Sequence, residues 1–345
     1  MAQASIQAVA REAGVSVSTV SRAFAKPDLV LPETRERVLA AAEKLDYRIS
    51  RSAAALKSGQ SLRIAVLMSA SIATWFNANV YAGLDSVFHP AGYDLSVFPM
   101  STAAERSEFF GNLPVRRNAD AVVVCSFDIE PSEVSKLKAM NVPIVGVNIP
   151  SNDGFDAGVS IDDSTAERIA VDHLVALGHR DIAFVGYGDD IHSTLRFSAS
   201  ARLEGFLDAC ARYADVTPIP LLLGSSDDPA NEALQLIIAA PHAPSAVCLA
   251  DDELAIPVLF RLRQYGTHVP QDISLIGFDD NRYAAGLGLT TVHQDPFAMG
   301  AQAARKTLEL MSPASNQEGE LSSRFITPQA QLILRETTAP KLPLS

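Results

Sequence analysis

The sequence predicts an all-α helix-turn-helix head joined to an α/β core of two doubly wound parallel-sheet subdomains. Three observations carry this. Residues 6–22 read as two short amphipathic helices parted by Gly14. From Leu62 onward, short apolar runs alternate with helix-period segments, the signature of parallel strands joined by crossover helices. That alternation starts again after Asp162, so the core is doubled. A chain of 345 residues has room for two or three domains with sizeable cores.

The head opens with Ile6, Val9, Ala10 and Ala13 at helical spacing. Gly14 ends that helix, because it adopts a left-handed backbone without steric cost. Ser16 is placed to cap a second helix, which Val15, Val20 and Phe24 pack back onto the first. The pair makes a helix-turn-helix whose recognition helix starts near Val17. Its exterior residues are short and uncharged, which suits entry into a DNA major groove about 12 Å wide. Val17 and Ser18 stand at the leading end, where base edges are met. Arg22, one turn on, reaches guanine or a phosphate, and Thr19 and Ser21 suit phosphate contacts. Ser5 and Ser16, just ahead of the two helices, complete the expected DNA-facing set in this region.

Residues 32–47 predict a third helix. Pro32 suits its first turn, Glu33 and Glu36 complement its positive end, and Val38, Ala41, Ala42 and Leu45 form the inner stripe. Residues 48–59 then form a helix-prone run of about two turns, too short to be stable alone in water, and so suited to folding on DNA.

Charge divides the chain in the same place. Residues 1–60 carry nine Lys/Arg and six Asp/Glu, a net of +3, so the remainder of the −12 chain is −15. A mildly basic head on an acidic body fits a protein that offers one end to phosphates. No secretion signal and no run of about 18 apolar residues is visible, which predicts a cytoplasmic protein away from membranes. Cys125, Cys210 and Cys248 are odd in number and far apart, so buried, reduced thiols are expected, with no metal and no cofactor.

In the core, Leu62–Met68, Tyr93–Phe98, Ala121–Cys125, Pro143–Val147 and Gly158–Ile161 read as strands, with helices around Asn79–His89 and Pro131–Met140. In the second half the strands are Asp181–Gly186, Pro218–Leu223, Ala246–Leu249 and Ile273–Phe278. Its helices are Ala166–Leu177, Ala201–Arg212, Asn231–Ala239 and Asp252–Tyr265. Thr290–His293 leads back toward the first half, Pro296–Met311 is a helix, and a last strand near Ala330–Leu334 returns to the second. Two such halves make a clamp whose ligand lies at the strand carboxyl ends.

Two other classes fit less well. Asp189-Asp190-Ile191-His192-Ser193 holds catalytic residue types, but without nucleophile-elbow or metal-ligand spacing, and no GxGxxG or Walker loop is present, so no enzyme is expected. A plain sugar-binding receptor would have no use for residues 1–59.

The strings VSVSTVSRAF, LPETRERVLAAAEKLDY, RSAAALKSG and LRIAVLM, in this order, resemble the lac repressor/galactose repressor family of bacterial transcription factors, from about Ile6 to about Arg335. The resemblance implies a core like that of periplasmic sugar-binding proteins, crossed three times by the chain. It implies a homodimeric repressor on a near-palindromic operator in double-stranded DNA. Residues 50–58 would be a hinge helix with Arg51 and Ala53 at the DNA, and Leu56 would wedge into the minor groove. The domains are then residues 1–47 for the head, 48–60 for the hinge and linker, 61–161 with 292–325 for the first core half, and 162–291 with 326–340 for the second.

Effector contacts follow in part from the same resemblance. The family's RxxGF arginine falls on Arg202 and its pocket aspartate on Asp279. Arg196 matches a second pocket arginine of purine-repressor-like members, and Asp251 stands where a polar pocket residue is usual. Ser69, Trp75, Phe76 and Asn148 are the candidates from the first half. The implied ligand is a sugar, glycoside or similar polar molecule, with a nucleoside or nucleobase as the alternative. Three positions depart from the pattern. Leu31 replaces a capping Ser, Asp46 replaces Gly or Asn, and Gly224-Ser225-Ser226-Asp227-Asp228 stands where an aromatic is common. The chain shows no heptad repeat after Arg335, which favours a dimer over a tetramer.

Overall fold

The structure is a computed structural model, and it describes residues 5–25, 27–47, 60–100, 102–112, 119–188, 197–224, 226–312 and 324–341. The chain divides into two compact units, Met1–Ser61 and Leu62–Ser345.

In the first unit, α1 (Ile6–Ala13), α2 (Val17–Ala25) and α3 (Pro32–Lys44) surround a small core of Val9, Ala10, Ala13, Val20, Ala23, Val38, Ala41 and Ala42. Ser5 caps α1, its hydroxyl accepting from the Ala8 N–H at 3.3 Å. Gly14 closes the helix at φ 66°. Leu31 gives α3 no side-chain cap, as its apolar side chain requires. Asp46 takes φ 45°, and the Tyr47 N–H reaches the Ala42 carbonyl at 2.8 Å, the Schellman closure that a residue tolerant of left-handed backbone allows.

The second unit holds two six-stranded sheets. The first contains β1 (Arg63–Met68), β2 (Asp94–Pro99), β3 (Ala121–Cys125), β4 (Ile144–Val147), β5 (Ala157–Val159) and β11 (Phe325–Ile326), in the order β11-β5-β4-β3-β1-β2, all parallel. The second contains β6 (Asp181–Tyr187), β7 (Thr217–Leu223), β8 (Ala246–Leu249), β9 (Ser274–Asp279), β10 (Thr290–His293) and β12 (Gln331–Ile333), in the order β12-β10-β9-β8-β6-β7. There the β10–β12 pair is antiparallel. Along β1, Ile64, Val66 and Met68 enter one core cluster while Ala65 and Leu67 enter another. This period-two split is why the strand is apolar throughout: helices cover both of its faces. Pro218 and Pro220 lie in β7, an edge strand, where a missing N–H is tolerated.

In the first half the helices are α4 (Trp75–Phe88), α5 (Ala103–Asn112) and α6 (Pro131–Ala139). The second half has α7 (Asp163–Ala176), α8 (Ser198–Ala211), α9 (Pro229–Ile238), α10 (Asp252–Tyr265) and α11 (Ala284–Leu287). α12 (Pro296–Met311) crosses back and packs on α4 at two glycines. A Cβ on Gly83 would lie 2.1 Å from the Phe297 carbonyl oxygen, and one on Gly300 would lie 2.4 Å from that of Val80, so the two backbones touch.

The structure corrects several expectations. β10 lies within the second sheet, so the chain leaves that half after His293 rather than at 292. β11, which the sequence did not suggest, keeps the chain in the first sheet through Ile326 rather than 325. α5 and α11 were also not anticipated, since Ala103–Asn112 is largely polar and Ala284–Leu287 is a single turn. α7 starts at Asp163 rather than Ala166 because the Asp162 carboxylate accepts from the Thr165 N–H at 2.9 Å.

Candidate functional site

Two surfaces carry the sequence-predicted residues. On the head, Ser16 caps α2: its Oγ accepts from the Thr19 N–H at 3.1 Å and lies 2.7 Å from Ser18 Oγ and 2.8 Å from Thr19 Oγ1. Val20 is fully buried and points the helix inward. Val17 (40 % exposed), Ser18 and Arg22 are left on the outer face, with Thr19 and Ser21 half-buried beside them. Residues 17 and 21, and 18 and 22, are one turn apart and so share a side of the helix. Ser5 is exposed at the start of α1. Arg51, Ala53 and Leu56 lie outside the described residues.

In the core, the carboxyl ends of strands from the two halves face each other. Ser69, Ser126 and Asn148 follow β1, β3 and β4; Tyr187 and Asp279 end β6 and β9, and Asp251 lies two residues beyond β8. With Phe76 and Arg202, these residues line a cavity of about 320 Å³. That volume lies at the small end of the range of about 300–1,000 Å³ for ligand pockets. The halves also meet beside it: the Ser198 N–H donates to the Ser126 carbonyl at 3.2 Å, and Phe127 bridges to Phe197.

Arg202 anchors the second-half wall. It is buried on α8, donates through Nε to Asp163 Oδ1 at 2.9 Å and through Nη1 to the Ala250 carbonyl, and lies 3.7 Å from the centroid of the Phe278 ring. These partners fix the guanidinium plane. Nη2 makes no hydrogen bond to a described residue. Asp279 sits at φ 115°, strain of about 1–3 kcal/mol that such positions store, and receives a hydrogen bond from Gln294 Nε2. Burial pushes the Asp279 carboxyl well above its ordinary range, although Arg202 pulls it down. Burial also raises Asp251, whose Oδ1 caps α10 through the Leu254 N–H at 2.7 Å and whose carboxyl accepts from the Tyr187 hydroxyl.

From the first half, Asn148 is 1 % exposed at φ 52°, and its Oδ1 has no hydrogen-bond partner. A buried polar atom without a partner is rare enough to need an explanation. Trp75 is placed differently from expectation: its neighbours Thr74 and Phe76 line the cavity and it does not. Its backbone N–H instead lies toward the Glu253 carboxylate of the second half. Arg196 lies outside the described residues. Sequence reasoning missed Ser126, Tyr187, Ser198 and Glu253. Ser126 and Tyr187 stand at strand carboxyl ends, so applying that rule to every strand would have found them.

Residues 5–50 match the model of bacterial regulatory proteins of the lacI family, and residues 171–338 match a periplasmic binding protein-like domain. The HTH-type transcriptional repressor PurR of Glaesserella parasuis serovar 5 (strain SH0165) is 28 % identical over 94 % of each chain. The chain belongs to the lac repressor/galactose repressor family. Another relative is the HTH-type transcriptional regulator RegA of Clostridium saccharobutylicum, 27 % identical over 97 % of this chain and 99 % of RegA. A lac repressor dimer bound to operator and the anti-inducer ONPF superposes with a TM-score of 0.82 at 25 % identity, covering 98 % of this chain and 100 % of that one.

As a member of this family, the chain is a DNA-binding transcriptional regulator with a two-sheet core like that of periplasmic binding proteins. These relatives are regulators rather than enzymes. Cys125, Cys210 and Cys248 are buried and free. Among the described residues, no group of three or more His, Cys, Asp and Glu is arranged to hold a metal, and no helix is long and apolar enough to cross a membrane.

Proposed function

We propose that the protein acts in the cytoplasm as a homodimeric repressor, and that a small polar effector in the core cavity sets its affinity for a near-palindromic operator. Two heads occupy half-sites about one helical turn apart, each with α2 in a major groove. Val17 and Ser18 meet base edges, Arg22 reaches guanine or phosphate, and Ser5, Ser16, Thr19 and Ser21 hold the backbone. Residues 48–60 carry the hinge, with Arg51 and Ala53 at the DNA and paired Leu56 side chains in the minor groove.

The observation that supports the effector role is the unpaired Asn148 Oδ1, facing a cavity whose opposite wall presents Arg202 and Asp279. Both walls must approach a ligand for these groups to be satisfied together. Closure of the halves is the differential contact that a ligand needs in order to shift an equilibrium. Ser69, Phe76, Asn148, Arg196, Arg202, Asp251 and Asp279 form the contact set, with Trp75 at the rim. A sugar or glycoside fits the mixture of hydroxyl acceptors, a guanidinium fork and an aromatic. A related regulator, CelR, 25 % identical with a TM-score of 0.67, forms a complex with cellobiose, which supports the same class. A nucleoside or nucleobase is the alternative.

The test is a gel shift of the full-length protein on its operator, titrated with ligands that raise its melting temperature. A ligand that stabilises the protein and changes operator affinity supports the reading. A ligand that binds the core and leaves operator affinity unchanged opposes it. Leu56→Ala loses most specific binding and keeps salt-sensitive non-specific binding if the hinge assignment is right.

A further inference from the structure

The cavity wall carries more carboxyl groups than cationic side chains among the described residues. Asp251, Glu253 and Asp279 line it, with Arg202 as the only cationic side chain among the described lining residues. Arg202 is already matched from behind. Its Nε is bound to Asp163, and Glu167 also feels its charge from a position 2 % exposed to solvent. The cluster of Asp163, Glu167, Asp251 and Asp279 therefore sets four carboxyls against one guanidinium. Counting Arg196, which the contact set proposed above includes, still leaves these four carboxyls against two guanidiniums.

The polar groups show the same bias. Asp279 uses one oxygen on Gln294, and its Oδ2 makes no hydrogen bond to a described residue. On the facing wall, the buried Asn148 Oδ1 is a second acceptor without a donor. Burial lifts Asp163, Asp251 and Asp279 above the ordinary carboxylate range, although the Arg202 charge pulls each of them down. A ligand that completes this site brings hydrogen-bond donors and positive charge.

We infer that the effector is an amine-bearing sugar of about monosaccharide size, whose ammonium group is held among Asp251, Glu253 and Asp279 with its donors shared by Asn148. The inference rests on the cavity being the effector site. An anionic ligand, such as a uronate or sugar phosphate, would meet the three carboxyl groups of Asp251, Glu253 and Asp279 with Arg202 partly committed to Asp163, and is disfavoured even with Arg196 counted. A neutral sugar satisfies the hydroxyl contacts but not the charge.

The experiment is calorimetric titration of the full-length protein with glucosamine, glucose and glucuronate, and with galactosamine, galactose and galacturonate. Charge-assisted hydrogen bonds exceed neutral ones by enough that an amine should bind at least about tenfold more tightly than its neutral counterpart. The uronates should not bind. Asp251→Asn keeps a capping side chain for α10 and removes one charge, so affinity for the amine sugar should fall more than affinity for its neutral counterpart, narrowing the amine preference several-fold. Equal or tighter binding of a neutral sugar or uronate, or binding by none of the six, overturns the inference. If an amine sugar is preferred but binds Asp251→Asn and Arg202→Lys as it binds the wild type, then the cavity reading has failed. If a neutral sugar is preferred and Arg202→Lys weakens it, the cavity stands and the ligand class falls.

Discussion

Arg202 and Asp163 form a buried ion pair, Nε to Oδ1 at 2.9 Å, that joins α8 to the first residue of α7. The contact is possible because Gly205, one turn further along α8, lets that helix lie directly on Ser164. A Cβ at Gly205 would stand 2.5 Å from Ser164 Cα. The RLEGF sequence is thus one device: the glycine brings two helices together, and the arginine uses the approach to reach a carboxylate and then the cavity.

Removing Arg202 should therefore affect folding and response separately. Arg202→Ala leaves Asp163 buried without its partner, which costs about 3–5 kcal/mol in comparable pairs. Urea denaturation measures that loss. Arg202→Lys keeps the charge and loses the planar fork. It should fold, bind operator, and respond to ligand only at concentrations at least about tenfold higher, where a bidentate contact has been lost. An unchanged ligand response would remove Arg202 from the pocket.

Gly205→Ala tests the other half of the device. The added methyl meets backbone rather than a flexible side chain, so the helices must part. Overpacking of this kind costs about 1–3 kcal/mol. A lowered melting temperature together with weakened ligand binding is expected. Wild-type stability would mean that the close approach is not required.

Glu167 predicts a pH dependence of stability. Burial first, then the nearby Asp163, raises its pKa from 4.5 to about 8, while Arg202 opposes them. Because the folded value is the higher one, its contribution is fully present below about pH 4.5 and is lost as pH rises through about 8. The slope from one such group is at most about 1.4 kcal/mol per pH unit. Unfolding free energies at pH 5.5 and 8 should converge for Glu167→Gln relative to the wild type. Parallel pH curves for the two proteins would show that Glu167 titrates normally.

Much of this organisation was legible in the sequence, and the parts that were not have physical causes. The head reads well because its signals are local: Gly14 must take a left-handed turn and Ser16 must cap the next helix, whatever surrounds them. The core strands read well because burial on both faces leaves unbroken apolar runs, as at Ala121–Cys125. β11 did not, since a two-residue strand pairs only because the first sheet offers an edge at β5. In the cavity, Arg202 and Asp279 were reached through the family pattern. Glu253 and the Asp163 partner were missed because each takes its place from residues distant in sequence. Trp75 does not line the cavity although Thr74 and Phe76 do, because successive residues of a helix point in directions about 100° apart.

The cap on α2 separates positioning from reading. Ser16→Ala removes the hydroxyl that holds the Thr19 N–H and should cost about 1 kcal/mol of head stability. Operator affinity should fall evenly across sequences. Ser18→Ala leaves the cap in place and should instead alter the preferred base at one position in each half-site. Selection from mixed duplexes distinguishes the two, and identical profiles would contradict the division.

The most direct measurement is selection of the full-length protein against a pool of random duplexes at about 0.15 M salt, where non-specific phosphate binding is weakened. The account predicts enrichment of a near-palindrome whose half-site centres lie about 10 base pairs apart. A pool that emerges with no shared sequence would contradict it.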